Sequence, residues 1–312
     1  MIYLETTILG RTGIRVTVAG MGCGGFSRIG IGKGLDHAAG IVRAAYEEGV
    51  TFFDTAAIYG TQPAVGLGLR GLPRDSYVLS TKFTYADTDG NITAENMLGS
   101  LERSLRELET DHVDVFHIHG LVAQDYERAR DTLIPSLQRA KADGKIRHIG
   151  VTERFGEDTV HKMLPLALRD DLYDVIMVGY NLLNPSAADR VLPLTTQSDV
   201  GVLCMFAVRR ALWNKEQLDT DIARIIAAGQ GGEGLDTHSL EFLTNERISE
   251  TLPEAAYRYC RHTPGITVTL TGTSNAEHLK ANLRSLELPP LPEAALSRLH
   301  SLFGNVDCVS GQ

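Results

Sequence analysis

Three polar residues close three successive apolar runs: Asp54 after Val50-Thr-Phe-Phe, Lys82 after Tyr77-Val-Leu-Ser-Thr, and His119 after Val113-Asp-Val-Phe-His-Ile. Tyr59 follows Asp54 by five residues. An acid, a lysine and a histidine at strand ends are costly to bury unless they pair. If the runs are parallel neighbours in one sheet, the three groups meet at one mouth. There a lysine ammonium beside a tyrosine would favour the phenolate, and a carboxylate would keep that lysine charged and in place. A neutral histidine could donate a hydrogen bond to a substrate oxygen. Such a set can exchange a proton with a carbonyl oxygen while a hydride reaches its carbon, and only a cofactor supplies that hydride.

Strands near 17–22, 50–54, 77–82, 113–118, 146–151, 174–178, 200–205 and 266–271 alternate with amphipathic helices. The helices are expected near 36–48, 62–70, 93–108, 126–143, 157–169, 186–198, 252–262 and 275–286. Eight unbroken strand–helix units predict an α/β protein of the closed (β/α)8 barrel type, as one domain over 1–312. On alternating faces, Val50, Phe52 and Asp54 share one side, as do Val78, Ser80 and Lys82. Val113, Val115, His117 and His119 do the same, which reads His117 as a core histidine one layer below His119. Thr6 to Val16 reads as a hairpin over the barrel bottom, turning at Gly10-Arg-Thr-Gly. Two segments break the repeat: a long insertion over 207–250, and an extra helix near 292–304 followed by a weakly patterned tail. The Gly229–Gly234 run inside the insertion reads as a linker.

The balance of 39 acidic against 30 basic residues disfavours a nucleic-acid partner or an anionic membrane surface. The longest apolar runs are strand-length, which argues against a membrane span. No basic start with an apolar run marks a leader at Met1, so a cytoplasmic protein is expected. Cys23, Cys204, Cys260 and Cys308 show no metal spacing, and no metal site is expected.

The residues in this order resemble the aldo-keto reductases. The likeness runs along nearly the whole chain through Gly10-Arg-Thr-Gly, Phe53-Asp54-Thr-Ala-Ala-Ile-Tyr59-Gly, Ser80-Thr-Lys82, Val113 to His119, Gly144 to Val151 and Gly272 to Asn282. Within that family it is similar to the bacterial and plant branch that includes L-galactose and aldose dehydrogenases. The resemblance implies Tyr59 as proton donor, Lys82 and Asp54 as its tuning pair, and His119 as the group that orients the carbonyl.

The resemblance also implies a nicotinamide cofactor bound without a Rossmann fingerprint, with NADP favoured over NAD. Gly22 and Asp54 fall at the floor beside the nicotinamide ribose. Thr152-Glu153 stands where the family has a Ser-Asn pair on the carboxamide, and Met177 where it has a glutamine. Met205 aligns with an aromatic that stacks on the nicotinamide, with Phe206 one step later. Ser274, His278 and Asn282 match the adenosine site, and Thr273 with Ser274 could hold a 2′-phosphate at a helix start. Arg209, next to Arg210, reads equally as a phosphate clamp or as half of a solvated pair.

The partner implied is a small carbonyl or sugar. The loops near 23–35, 84–92, 120–125 and 207–250 carry few aromatics, which leans towards polar ligands. The 207–250 segment is expected to close over bound cofactor. Two other readings stand beside the reductase: a Schiff-base lyase or aldolase built on Lys82, and a non-catalytic cofactor-sensing subunit.

Overall fold

The computed structural model describes residues 4–86 and 90–312. A short antiparallel hairpin, β1 (Thr6–Ile8) and β2 (Arg15–Thr17), precedes the barrel. Its strands are β3 (Ala19–Gly22), β4 (Phe52–Asp54), β5 (Val78–Thr84), β6 (Val113–Leu121), β7 (Ile146–Glu153), β8 (Val175–Gly179), β9 (Gly201–Met205) and β10 (Val268–Thr271). They pair in parallel in that order, and β10 closes on β3, which makes the (β/α)8 barrel the sequence predicts. The hairpin plugs the bottom. Leu9 and Val16 join the inward residues Phe52, Val78, Val115, Val175, Leu203 and Val268 in one cluster. Gly10 must be glycine there: its φ is +48°, and a Cβ would lie 2.3 Å from the Gly201 nitrogen.

Around the barrel run α1 (Leu35–Glu47), α2 (Gln62–Leu69), α3 (Ala94–Glu107), α4 (Tyr126–Ala142), α5 (Met163–Arg169), α6 (Ala187–Arg190) and α7 (Leu192–Gln197). They are followed by α8 (Lys215–Ala227), α9 (Phe242–Asn245), α10 (Leu252–Arg261), α11 (Ala276–Glu287) and α12 (Glu293–Phe303). Two predicted helices are shorter than their patterns. The helix expected from 157 begins only at Met163, because the Asp158 carboxylate accepts from the Lys162 and Met163 backbone N–H groups and holds the preceding turn. The 186–198 helix breaks at Val191, one residue before a turn that carries Pro193.

The insertion after β9 is built into the fold. Side chains from α8 and α9 pack with α10, α12 and the tail in a second core that includes Leu212, Ile222, Leu243, Phe303, Val306 and Val309. The Gly229–Gly234 run is no linker. Gly232 donates to the Leu302 carbonyl at 2.9 Å, and a Cβ on it would lie 1.8 Å from the Ser301 oxygen. The tail lies over the β8 end: Asn184 donates to the Val309 carbonyl at 3.0 Å, and Asn181 to that of Ser310 at 3.3 Å.

No described helix is long and apolar enough to cross a membrane. No group of three or more potential metal ligands occurs among the described residues. Cys23, Cys204 and Cys260 are buried, and Cys308 is exposed.

Candidate active site

Register brings the polar strand ends together. Asp54 pairs with Ser80 across β4 and β5, while Lys82 pairs with His117 and Thr84 with His119 across β5 and β6. In such barrels the C-terminal strand ends carry the chemistry. Lys82 is completely buried, and its ammonium donates to Asp54 Oδ2 at 2.5 Å and to the Thr55 carbonyl at 2.8 Å. Ser80 donates to the other Asp54 oxygen at 2.8 Å. Burial would lower the Lys82 pKa, but Asp54 and then Tyr59 raise it, so the amine stays charged. Burial pushes the Asp54 carboxyl up against the pull of Lys82 and Ser80.

Tyr59 sits on a 3₁₀ turn (Ala57–Tyr59) just past β4, with the Lys82 ammonium 5.1 Å from its ring centroid. Its hydroxyl is 3.2 Å from His119 Nε2. Burial raises the phenol pKa, Lys82 draws it down, and Asp54 and Cys23 push it up. Burial lowers the His119 pKa to about 3, helped by Lys82 and Arg154, so this imidazole is neutral at ordinary pH. Gly24 makes room for the tyrosine: a Cβ there would lie 2.3 Å from the Tyr59 ring.

The expected cofactor residues line the same rim unevenly. Thr152 is buried, and its hydroxyl accepts from the Gly120 N–H at 2.7 Å. Glu153 lies one step along the strand with both carboxylate oxygens committed. His161 Nδ1 approaches them at 2.9 and 3.0 Å, and the Gly179 N–H donates to one of them at 2.8 Å. Glu153 therefore belongs to a buried acid–imidazole pair, which its position in the sequence does not reveal. Met177 and Met205 belong to the inward barrel cluster. Phe206 has a φ of +69° and takes part in a stack of planar groups. His161 lies 5.4 Å from Phe155, Phe155 lies 6.2 Å from Phe206, and the Arg209 guanidinium lies 3.8 Å above the Phe206 ring.

Arg209 is not a solvated cation. Burial lowers its pKa to about 10 against the pull of Asp221, and its Nε has no partner among the described residues. Gly22 lies at the end of β3, beside the Thr271 carbonyl. Just past the adjacent strand β10, Thr273 accepts from the Asn275 N–H at 3.2 Å, the Ser274 carbonyl lies 3.0 Å from His37 Nε2, and Asn282 donates to Thr271 at 2.9 Å. His278 is exposed in the first turn of α11, its N–H held by Asn275.

Sequence reasoning did not anticipate Thr55, whose carbonyl fixes Lys82, or Phe155 and His161, which complete the stack. It also missed Phe26 and Trp213. These exposed rings stand 6.5 Å apart on the loops that follow β3 and β9.

A model of the aldo/keto reductase family matches residues 21–303. The chain belongs to the aldo/keto reductase family. This aldo/keto reductase is 33% identical over 157 residues to an L-galactose dehydrogenase of Arabidopsis thaliana, a match spanning 49% of each chain. It is 26% identical over 220 residues to a D-threo-aldose 1-dehydrogenase of a Pseudomonas species, covering 61% of this chain and 65% of that one. The fold is shared with the holo form of an aldo-keto reductase from Bacillus halodurans, at a TM-score of 0.74 and 23% identity, over 97% of this chain and 98% of that one. It is also shared with a Klebsiella pneumoniae aldo/keto reductase in complex with NADP and acetate, at a TM-score of 0.69 and 23% identity, over 97% of each chain.

Proposed function

We propose that this chain is an oxidoreductase that moves a hydride between NADP(H) and the carbonyl or alcohol carbon of a small aldehyde, ketone or sugar, with Tyr59 as the proton-transfer group. The observation that carries this reading is the buried Asp54–Lys82 pair held beside Tyr59, whose hydroxyl meets a neutral His119. Lys82 has two of its three N–H donors committed to Asp54 and Thr55, which leaves one for the phenol oxygen. Negative charge on that oxygen is favoured by the ammonium, so the phenol can yield its proton to a carbonyl oxygen or take one from an alcohol. His119 Nε2 and the Tyr59 hydroxyl, 3.2 Å apart, can share one substrate oxygen between them and orient it.

The residues present fit a dinucleotide. Arg209 is a half-buried cation with an unpartnered Nε, suited to an anionic group. Gly22, Thr152, Met177, Met205 and Phe206 would hold the nicotinamide end, and Thr273, Ser274, His278 and Asn282 the adenosine end. When bound, the nicotinamide supplies or accepts the hydride. Glu153 would act here through its neighbours, because its own oxygens are taken.

The surroundings of Lys82 oppose a Schiff-base lyase. A nucleophilic lysine needs a lowered pKa and a free lone pair, whereas this amine is raised, charged and hydrogen-bonded. Sugar-type substrates are supported by the relatives' names and by Phe26 and Trp213, which offer flat apolar faces on the loops after β3 and β9. A panel of aldehydes, ketones and aldoses tested in both directions with NADP(H) and NAD(H) decides the reading. Turnover that depends on Tyr59 supports it, whereas tight NADPH binding without turnover of any compound would favour a sensing subunit.

A further inference from the structure

Beneath the mouth, the fully buried His117 is hydrogen-bonded at 3.0 Å through Nε2 to the Ser80 hydroxyl. Ser80 in turn donates to Asp54 Oδ1 at 2.8 Å, and Asp54 Oδ2 accepts from Lys82 at 2.5 Å. We infer that His117 and Ser80 are positioning residues for the reaction, a buried hydrogen-bonded rail that fixes the Asp54 carboxylate and, through it, the ammonium facing Tyr59. This inference rests on the proposed role of Tyr59.

The direction of the rail follows from counting protons. Ser80 has one O–H, and it is given to Asp54, so Ser80 can only accept from His117. Nε2 of His117 therefore carries the ring proton. The barrel is shaped to admit this imidazole: Gly150 on β7 faces it, and a Cβ there would lie 2.2 Å from Nδ1. Burial, and then the positive charge of Lys82, hold the ring well below its ordinary pKa, so it stays a neutral donor.

The rail sets how strongly Asp54 competes for the Lys82 proton. With Ser80 donating, the carboxylate is satisfied on both oxygens and leaves full positive charge on the amine. Without that donor, Asp54 draws the Lys82 proton towards itself and the phenol loses stabilisation. The other titratable groups near the phenol are His119 on β6, which is neutral, and Cys23 just past β3, whose thiol burial keeps protonated. Neither replaces the lost charge.

The experiment uses the full chain and its Ser80→Ala, His117→Leu and His117→Gln variants, with thermal melts for folding. The first readout is the ultraviolet difference titration of Tyr59, taken against each protein's own Tyr59→Phe version, which needs no turnover. The second is the pH profile of kcat. Ser80→Ala and His117→Leu are expected to move the Tyr59 titration about one pH unit alkaline and to lower kcat about tenfold. His117→Gln, which keeps an N–H donor, should restore both. An unmoved Tyr59 titration in Ser80→Ala, or a Gln variant no better than the Leu variant, overturns the inference. Should His117→Leu fail to fold, Ser80→Ala carries the decision. If the rail variants shift the titration but the parent turns over no carbonyl, the catalytic reading fails while the rail stands.

Discussion

The Tyr59 hydroxyl lies 3.2 Å from His119 Nε2, and their rings meet edge-on with centroids 5.5 Å apart. Removing the hydroxyl leaves the ring packed against Gly24 and beneath Lys82, so the pocket keeps its shape. Tyr59→Phe is therefore expected to cut kcat by about 10²- to 10⁴-fold with cofactor affinity unchanged. Steady-state kinetics and NADPH fluorescence titration check both halves. Near-normal turnover would reject Tyr59 as the proton-transfer group.

Gly24 gives a steric test of the same placement. A methyl group there would sit 2.3 to 2.7 Å from three Tyr59 ring atoms, nearer than side chains tolerate. Gly24 lies on a partly exposed loop, so Gly24→Ala should displace the tyrosine with little loss of melting temperature. A tenfold or greater fall in kcat, about 1.4 kcal/mol, is expected. Unaltered kinetics would mean that Tyr59 is free to move.

Breaking the buried ion pair should cost stability as well as activity. Asp54→Asn leaves the Lys82 ammonium in a site with no solvent, and losing one partner of such a pair costs about 3–5 kcal/mol. Pairing it with Lys82→Met removes the stranded charge and should recover part of the loss, while activity stays absent. Urea unfolding of the two single variants and the double variant measures the coupling.

The barrel was legible because its signal repeats: each strand is an apolar run with a helical stretch behind it. Alternation also placed Asp54, Lys82, His117 and His119 on inner faces, and the structure keeps them there. What escaped was anything carried by contact rather than type. Thr55 acts through its backbone carbonyl, Gly24 and Gly150 through the absence of a side chain, and Glu153 through a histidine eight residues later. Gly232 looked flexible because composition cannot show that α12 presses against it. Pro193 did mark the break at Val191, but the apolar periodicity around it concealed that mark.

Stability should fall on the acid side through the buried imidazoles. His119 drops from 6.5 to about 3 in the folded chain, and His117 is also depressed, both first by burial. Between those values the unfolded chain binds more protons than the folded one. The stabilising effect is complete above about pH 6.5 and is lost as pH falls towards 3, each group contributing up to about 1.4 kcal/mol per pH unit. Melts from pH 8 to 4 should show this slope, and His119→Gln should flatten it. The same depression means that no limb of the kcat profile between pH 5 and 8 belongs to His119. A limb near 6.5 that vanishes in His119→Gln would contradict the neutral assignment.

Arg209 above Phe206 tests where the anionic part of the cofactor rests. The guanidinium is stacked at 3.8 Å, half-buried, with Nε unpartnered among the described residues, and no described carboxylate pairs with it directly. Such a cation is costly to hold unless an anion reaches it, and a charge-assisted contact is worth about 1.5–3 kcal/mol. Arg209→Met keeps much of the packing against Phe206 and Gly311 and removes the charge. NADPH affinity is expected to fall about 10- to 100-fold, with a weaker dependence on salt and little change in kcat at saturation. Fluorescence titration at two ionic strengths measures this. Unchanged affinity would assign Arg209 to the stack alone, holding the Phe206 ring against Phe155.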